Sequence, residues 1–168
     1  MPTKTERFIS TVTALARVGV GLSFAVLIGA VLIQVVGRSL GSSPVWTEEL
    51  TRFALLFLIA FGAGLSLRTG DMVNVDIVCE VLPGRWPWRL RLVSALATGG
   101  LALYLLPHAW RFVSIGRMQS SPALGLTMSY VHLTVFLMLA LLALFAALRV
   151  LGMLTGTEDG TPEKAEEI

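Results

Sequence analysis

The sequence predicts an all-α integral membrane protein with four transmembrane helices, and two observations support this prediction. The 168 residues are 55% hydrophobic and only 14% charged, with a mean hydropathy of +0.77. Soluble domains average about 25% charged residues, so the composition excludes an ordinary soluble domain. In addition, four long runs along the chain contain no charged side chain.

The four uncharged runs are residues 18–37, 53–67, 92–110 and 118–148. A bilayer core of about 30 Å requires roughly 20 apolar helical residues, so the second run must include its charged flank or tilt little. In the fourth run, Pro122 and Gly125 predict a helix that starts near Leu126. We therefore predict a single membrane domain, residues 1–168, with spans at about 14–37, 48–68, 91–112 and 126–150.

The distribution of Lys and Arg predicts the orientation, because these residues are enriched in cytoplasmic loops. With the N-terminus inside, nine of the 13 lie on the cytoplasmic side and four on the opposite side. Both termini are therefore predicted to be cytoplasmic. The first apolar run is too long for a signal peptide, which predicts an uncleaved anchor.

The connection between the second and third spans is predicted to contain a short amphipathic helix. Asp71 and Asn74 are good N-cap residues, and the apolar residues of about 72–82 fall at helical spacing. This helix is expected to lie in the cytoplasmic interface. Trp86 and Trp88 follow among arginines, a composition that favours contact with phospholipid rather than nucleic acid. The tail, about residues 155–168, is predicted to be disordered.

Two acidic residues stand at the start of the second span. Glu48 is four residues before Arg52, and Glu49 is three residues before it, so either carboxylate can pair with Arg52 on a helix. A contact with a partner or a packing role is one interpretation, and a solvated helix start is another. Adjacent helical residues point in different directions, which argues against a shared substrate, so no catalytic residue is predicted.

Arg38, at the end of the first span, has two possible roles. Its side chain can extend to the lipid headgroups, or it can pair with Glu48 or Glu49 across the short turn at residues 41–44. The pairing is slightly favoured.

The chain has two histidines, and they suggest an alternative function. His108 and His132 are predicted to lie near the same ends of the third and fourth spans. Paired histidines on neighbouring membrane helices can ligate a b-type haem, so the alternative is a haem b-binding anchor subunit of a respiratory enzyme. The simpler interpretation is that each histidine makes a polar contact near the interface. With one cysteine, Cys79, the usual metal-site spacings are absent from the sequence.

Small residues recur every four positions on two predicted spans. They are Gly21, Ala25 and Gly29 on the first, and Ala60 and Gly64 on the second. Such stripes allow close approach of membrane helices. We expect helix packing at both stripes, although the spacing does not identify the neighbour.

The order of several motifs resembles a known family. After Arg38 come W-T-E-E-L-T-R at residues 46–52, R-T-G-D-M-V-N-V-D at 68–76, L-P-G at 82–84 and S-S-P-A-L-G-L at 120–126. This order is similar to the small membrane subunit of tripartite ATP-independent periplasmic (TRAP) transporters, the four-helix DctQ-like family. The resemblance covers about residues 10–152. Met72 occupies a position where the family often has His, whereas Asp76 matches the pattern.

The resemblance implies a small permease subunit in the bacterial inner membrane. Its partners would be a large membrane subunit, which is expected as a separate chain, and a periplasmic binding protein that delivers a small organic acid. Sodium coupling would reside in the large subunit, so no cofactor is expected in this chain. Carried over to this sequence, the motifs assign subunit-interface or structural roles to a set of polar and aromatic residues: Arg38, Trp46, Glu48, Glu49, Arg52 and Asp76.

Overall fold

The computed structural model describes residues 4–42, 44–69 and 86–155, and these residues form four long α-helices. The helices are α1 (Lys4–Ser39), α2 (Trp46–Thr69), α3 (Trp86–Ile115) and α4 (Met128–Thr155). A 3-10 turn, Gly116–Met118, follows α3. Each helix is long and apolar enough to cross a membrane. The protein is therefore an all-α, multi-pass membrane protein.

The starts of α2 and α4 differ from the limits of the second and fourth uncharged runs in opposite directions. Helix α2 begins at Trp46, so it includes the acidic flank that the second apolar run needs to span a bilayer. Helix α4 begins at Met128, two residues later than expected, because residues 119–127 form a loop in which Gly125 has φ +66°. The predicted interfacial helix and the predicted tail beyond Thr155 lie outside the described residues.

Helices α1 and α2 form an antiparallel hairpin around a glycine turn. Gly41 has φ +76°, a conformation that glycine adopts without steric cost. Its N–H donates to the carbonyl of Arg38 at 3.2 Å, and the N–H of Ser42 donates to the carbonyl of Gly37 at 2.9 Å. These two bonds satisfy the pattern of a Schellman cap. They end α1 and reverse the chain within a few residues.

The four described helices pack in an open row, in the order α1, α2, α4, α3. Helix α2 packs on α1 and α4, and α4 packs on α2 and α3, whereas the backbones of α1 and α3 each approach one neighbouring helix. Leu141 and Phe145 of α4 lie against α2. Leu139 and Ala143 of α4 form a buried apolar cluster with residues of α3. Consistent with this order, 28% and 33% of the apolar stretches of α2 and α4 are buried within the protein, against 11% for those of α1 and α3.

Each of the three seams between neighbouring helices contains a glycine at a close approach. A Cβ atom on Gly19 would lie 2.8 Å from the Phe61 ring in the α1–α2 seam. In the α2–α4 seam, a Cβ atom on Gly64 would lie 2.7 Å from Cβ of Leu141. Gly99 approaches Ala146 in the α3–α4 seam, where the same Cβ distance would be 3.1 Å. Without a side chain at these positions, the helices can pack at short interaxial distance.

The two predicted small-residue stripes are used differently. Ala60 is 1% exposed, and it lies one turn from Gly64 on the packed part of α2. By contrast, a Cβ atom added at Gly21 or Gly29 would meet nothing within 4 Å, and Ala25 is exposed. On a helix, this second stripe is nearly opposite the side of α1 that packs on α2. It therefore forms no packing contact within the described part of the chain.

Candidate functional site

Glu49, in the first turn of α2, joins that helix to the loop that precedes α4. Its carboxylate accepts a hydrogen bond from the hydroxyl of Ser121, which lies 72 residues further along the chain. It also accepts from the backbone N–H groups of Ala123 (3.2 Å) and Leu124 (3.1 Å). One side chain thus connects two regions that are distant in sequence. The name "Glu49 end" is used below for the part of the row that contains the first turns of α2 and α4.

The loop presents these donors because its backbone closes on itself. Ser120 and Thr127 form an antiparallel bridge, and the N–H of Gly125 donates to the carbonyl of Ser121 at 3.0 Å. Consecutive N–H groups on the inside of such a turn make a concave site for an anion. In this protein the Glu49 carboxylate occupies that site.

Ser121 is 3% exposed, and its polar atoms all have partners. Its hydroxyl O–H donates to the Glu49 carboxylate, and the hydroxyl oxygen accepts from the N–H of Leu124 at 3.2 Å. Its backbone N–H donates to the carbonyl of Leu126 at 2.8 Å. A nucleophilic serine needs an adjacent base that receives its proton and an accessible oxygen. The arrangement around Ser121 instead serves to hold the loop in place.

The start of α2 is fixed by a buried threonine. Thr47 has 0% exposure, and its hydroxyl donates to the carbonyl of Pro44 at 2.6 Å. The hydroxyl of Thr51 donates in turn to the carbonyl of Thr47 at 2.8 Å. These bonds fix the first turns of α2, and so they help set the direction in which Glu49 projects.

The neighbouring carboxylate, Glu48, points toward α1. Its Oε1 lies 3.5 Å from Nε2 of Gln34, at the long limit for a hydrogen bond. Among the described residues no ion pair joins Arg38 to either carboxylate, so the expected pairing is not formed. The carboxylate of Glu49 is already used by the loop, and Arg38 is exposed at the end of α1. Arg52 is also exposed.

A second polar junction joins α4 to the last turn of α3. The hydroxyl of Ser129 donates to the carbonyl of Val113, and Nδ1 of His132 donates to the carbonyl of Phe112, both at 3.0 Å. The rings of Phe112 and His132 stack with centroids 3.8 Å apart. The last carbonyls of a helix need partners from outside its own hydrogen-bond ladder. Gly116 makes this contact possible, because a Cβ atom there would lie 2.6 Å from Nδ1 of His132.

Comparison with known proteins identifies the family. The family model of the DctQ component of tripartite ATP-independent periplasmic transporters matches residues 27–156. This chain belongs to the DctQ family. A protein of Haemophilus influenzae, provisionally described as a TRAP transporter small permease protein, is 24% identical over 113 residues. That match covers 67% of this chain and 68% of the relative. The predicted resemblance is therefore confirmed.

Membership in the DctQ family means that this is a TRAP transporter small permease subunit, from a family of transport components rather than enzymes. It does not favour the haem-binding alternative. The two histidines also have local partners in the structure. His132 has the partners described above, and Nδ1 of the exposed His108 lies 3.3 Å from the carbonyl of Tyr104 on its own helix.

The remaining predicted residues of this DctQ protein are Trp46 and Asp76. Trp46 is exposed at the first position of α2, and Asp76 lies outside the described residues. Of the predicted polar set, Glu49 makes the contacts that connect distant parts of the chain.

Sequence reasoning missed the partners of Glu49 and the second junction. The motif at residues 120–126 includes Ser121 but does not identify it as a partner of Glu49, and the motifs do not include Gly116 or Ser129. Pro122 and Gly125 predict a helix start, although such residues also indicate a tight turn. The pairing of that turn with Glu49 depends on how α2 and α4 pack, which has no local sequence signal.

Proposed function

We propose that this DctQ protein scaffolds the large membrane subunit of a TRAP transporter. The transporter would take up a small organic acid that a periplasmic binding protein delivers, and sodium would drive the uptake. The main support is the family membership together with the open helix row. An open row leaves long apolar helix faces available to a membrane partner, whereas its main polar contacts hold its own helices and loop together.

We assign the substrate and sodium sites to the large subunit and propose no enzymatic activity or cofactor for this chain. Glu49 would be the first candidate for an ion-binding group, but its carboxylate already accepts hydrogen bonds from the loop before α4. A group that is already hydrogen-bonded in this way is better suited to a structural role than to reversible ion binding. The polar residues at the Glu49 end would therefore determine shape, not substrate choice.

We further propose that the protein lies in the bacterial inner membrane with both termini in the cytoplasm. The support is the nine-to-four distribution of Lys and Arg. In this orientation the Glu49 end faces the periplasm, and the opposite end meets cytoplasmic-leaflet phospholipid. A reporter that is active only in the cytoplasm should be active when it is fused after Thr155, and one that is active only in the periplasm should be inactive there. The reverse result would overturn the orientation without affecting the scaffold role.

The outward stripe of Gly21, Ala25 and Gly29 is proposed to contact the large subunit. Gly21→Leu meets open space within the chain, so the isolated protein should keep its melting temperature. In the complex, the added side chain should reduce co-purification of the large subunit through steric overlap. Val26→Leu, at an exposed position on another side of α1, is the matched control. Normal assembly of Gly21→Leu would exclude this edge of the row as the contact.

The scaffold role is tested by producing the large subunit with and without this chain. We expect the large subunit to lose yield, thermal stability and uptake when the DctQ protein is absent. Supplying the DctQ protein from a second plasmid should restore all three. A large subunit that is equally stable and equally active alone would refute the proposal. A Glu49 variant can be supplied from the second plasmid in the same way. If it changed the substrate preference of the transporter, the structural role of Glu49 would be refuted.

A further inference from the structure

An apolar groove of about 390 Å³ lies between α3 and α4. Its floor is the close crossing of Gly99 and Ala146. Leu96 and Leu103 of α3 and Leu151 of α4 line its sides. The groove is on a broad face of the row, because Leu96 and Leu103 lie about 90° around α3 from the side that packs on α4.

The dimensions of the groove suit a hydrocarbon chain. Along α3 it extends from Ala95 to Leu103, which corresponds to about 12 Å at the rise of an α-helix. Gly100 keeps it open, since this glycine is exposed and a Cβ atom there would meet nothing within 4 Å. A narrow cleft with an almost wholly apolar lining offers van der Waals contact but no hydrogen-bond partner to its occupant.

A cationic side chain lies on the same side of α3, nearer its N-terminus. Arg89 precedes Leu96 by seven residues, so both lie on nearly the same face of the helix. Its distance from the near end of the groove at Ala95 is about 9 Å along the axis. Arg89 is exposed, and its guanidinium lies over the Trp86 ring at 5.7 Å from the centroid. Within the described residues it has no acidic partner.

The charge and the groove together define a ligand with an anionic head and an apolar tail. A guanidinium that lies over an indole ring still has N–H donors for a phosphate. Basic side chains beside clefts between transmembrane helices recognise the headgroups of anionic lipids. We propose that Arg89 and the α3–α4 groove bind one anionic phospholipid, with its phosphate on Arg89 and an acyl chain in the groove. This inference does not depend on the proposed transport role.

Native mass spectrometry of the full-length chain in detergent tests the proposal. The protein is titrated with phosphatidylglycerol or with phosphatidylethanolamine of the same acyl chains. We expect one retained phosphatidylglycerol, at several-fold higher occupancy than phosphatidylethanolamine. Arg89→Gln should remove this preference. Gly100→Leu should reduce the occupancy of both lipids several-fold by filling the groove.

Two matched variants control for charge and size. Arg111→Gln removes an exposed arginine near the other end of α3, and Gly21→Leu adds the same side chain on α1 in open space. Both should retain the lipid as the unmodified protein does. Equal occupancy for both lipids, or no effect of Gly100→Leu, would overturn the proposal. A dimer that is lost in Gly100→Leu would also overturn it, because the groove would then hold a second copy of the chain.

Discussion

The Glu49 end and the middle of the row join the same helices by different chemistry. At the Glu49 end, one carboxylate accepts bonds from a hydroxyl and two backbone N–H groups of the loop before α4. In the middle of the α2–α4 seam, Gly64 and Leu141 meet without any polar contact. Polar contacts need specific partners, whereas close packing needs only the absence of a side chain. The difference explains why a motif is visible at one place and only a spacing at the other.

Replacing Glu49 should have the largest effect. Glu49→Ala removes the acceptor of the buried Ser121 hydroxyl and of the Ala123 N–H, and it leaves the N–H of Leu124 with only its 3.2 Å bond to Ser121. Polar groups left unpaired in this way are costly. We expect the largest drop in melting temperature of the variants described here, together with loss of assembly with the large subunit. Thermal unfolding in detergent and co-purification measure the two effects.

Two further variants make this prediction specific. Glu49→Gln keeps one acceptor oxygen but loses the charge, so its melting temperature should lie between those of Glu49→Ala and the unmodified protein. Glu48→Ala loses only a 3.5 Å contact with Gln34 and should change little. If Glu48→Ala were as damaging as Glu49→Ala, the loop contact would not be the cause.

Two glycine substitutions on α2 test how closely the apolar α2–α4 seam is packed. Gly64→Ala places Cβ 2.7 Å from Cβ of Leu141, so the helices must separate. We expect a loss of about 1–3 kcal/mol in the free energy of unfolding, as for other overpacked cores. At Gly62 the same change meets no atom within 4 Å, so it should be neutral or stabilising by up to about 1 kcal/mol through helix propensity. Equal values for the two variants would show that the seam can relax.

The histidines provide a smaller contrast at the α3–α4 junction. His132→Ala removes the bond to the Phe112 carbonyl and the ring stack, and it should cost about 1–2 kcal/mol. His108→Ala affects an exposed side chain and should cost about 0.5 kcal/mol or less. Absorption spectra of the purified protein serve as a check. A Soret band lost in either variant would support the haem alternative instead.

Arg38 should show the smallest effect on the isolated chain. Since no ion pair joins it to Glu48 or Glu49 in the described residues, Arg38→Gln should change the free energy of unfolding by at most about 0.5 kcal/mol. The same variant measured in the complex tests its predicted interface role, where a larger loss of assembly is expected. A large loss in the isolated chain would indicate an internal contact of Arg38.

The sequence by itself determined the four membrane helices and the family. Hydropathy is a local property, so the runs around residues 18–37 and 118–148 identify membrane helices without knowledge of their neighbours. The ordered motifs indicated the DctQ family, which the family comparison confirmed. The sequence predicted a subunit-interface or structural role for Glu49, but it did not predict the contact of Glu49 with Ser121.

Only the tertiary structure decided which residues meet. Gly21 and Gly64 both belong to stripes of small residues with the same spacing, yet one faces open space and the other lies against Leu141. The order of the row and the contact of Glu49 with Ser121 likewise depend on contacts between residues far apart in the chain. The physical reason is that spacing defines the face of a helix, whereas the neighbour on that face is set by the packing of the other helices.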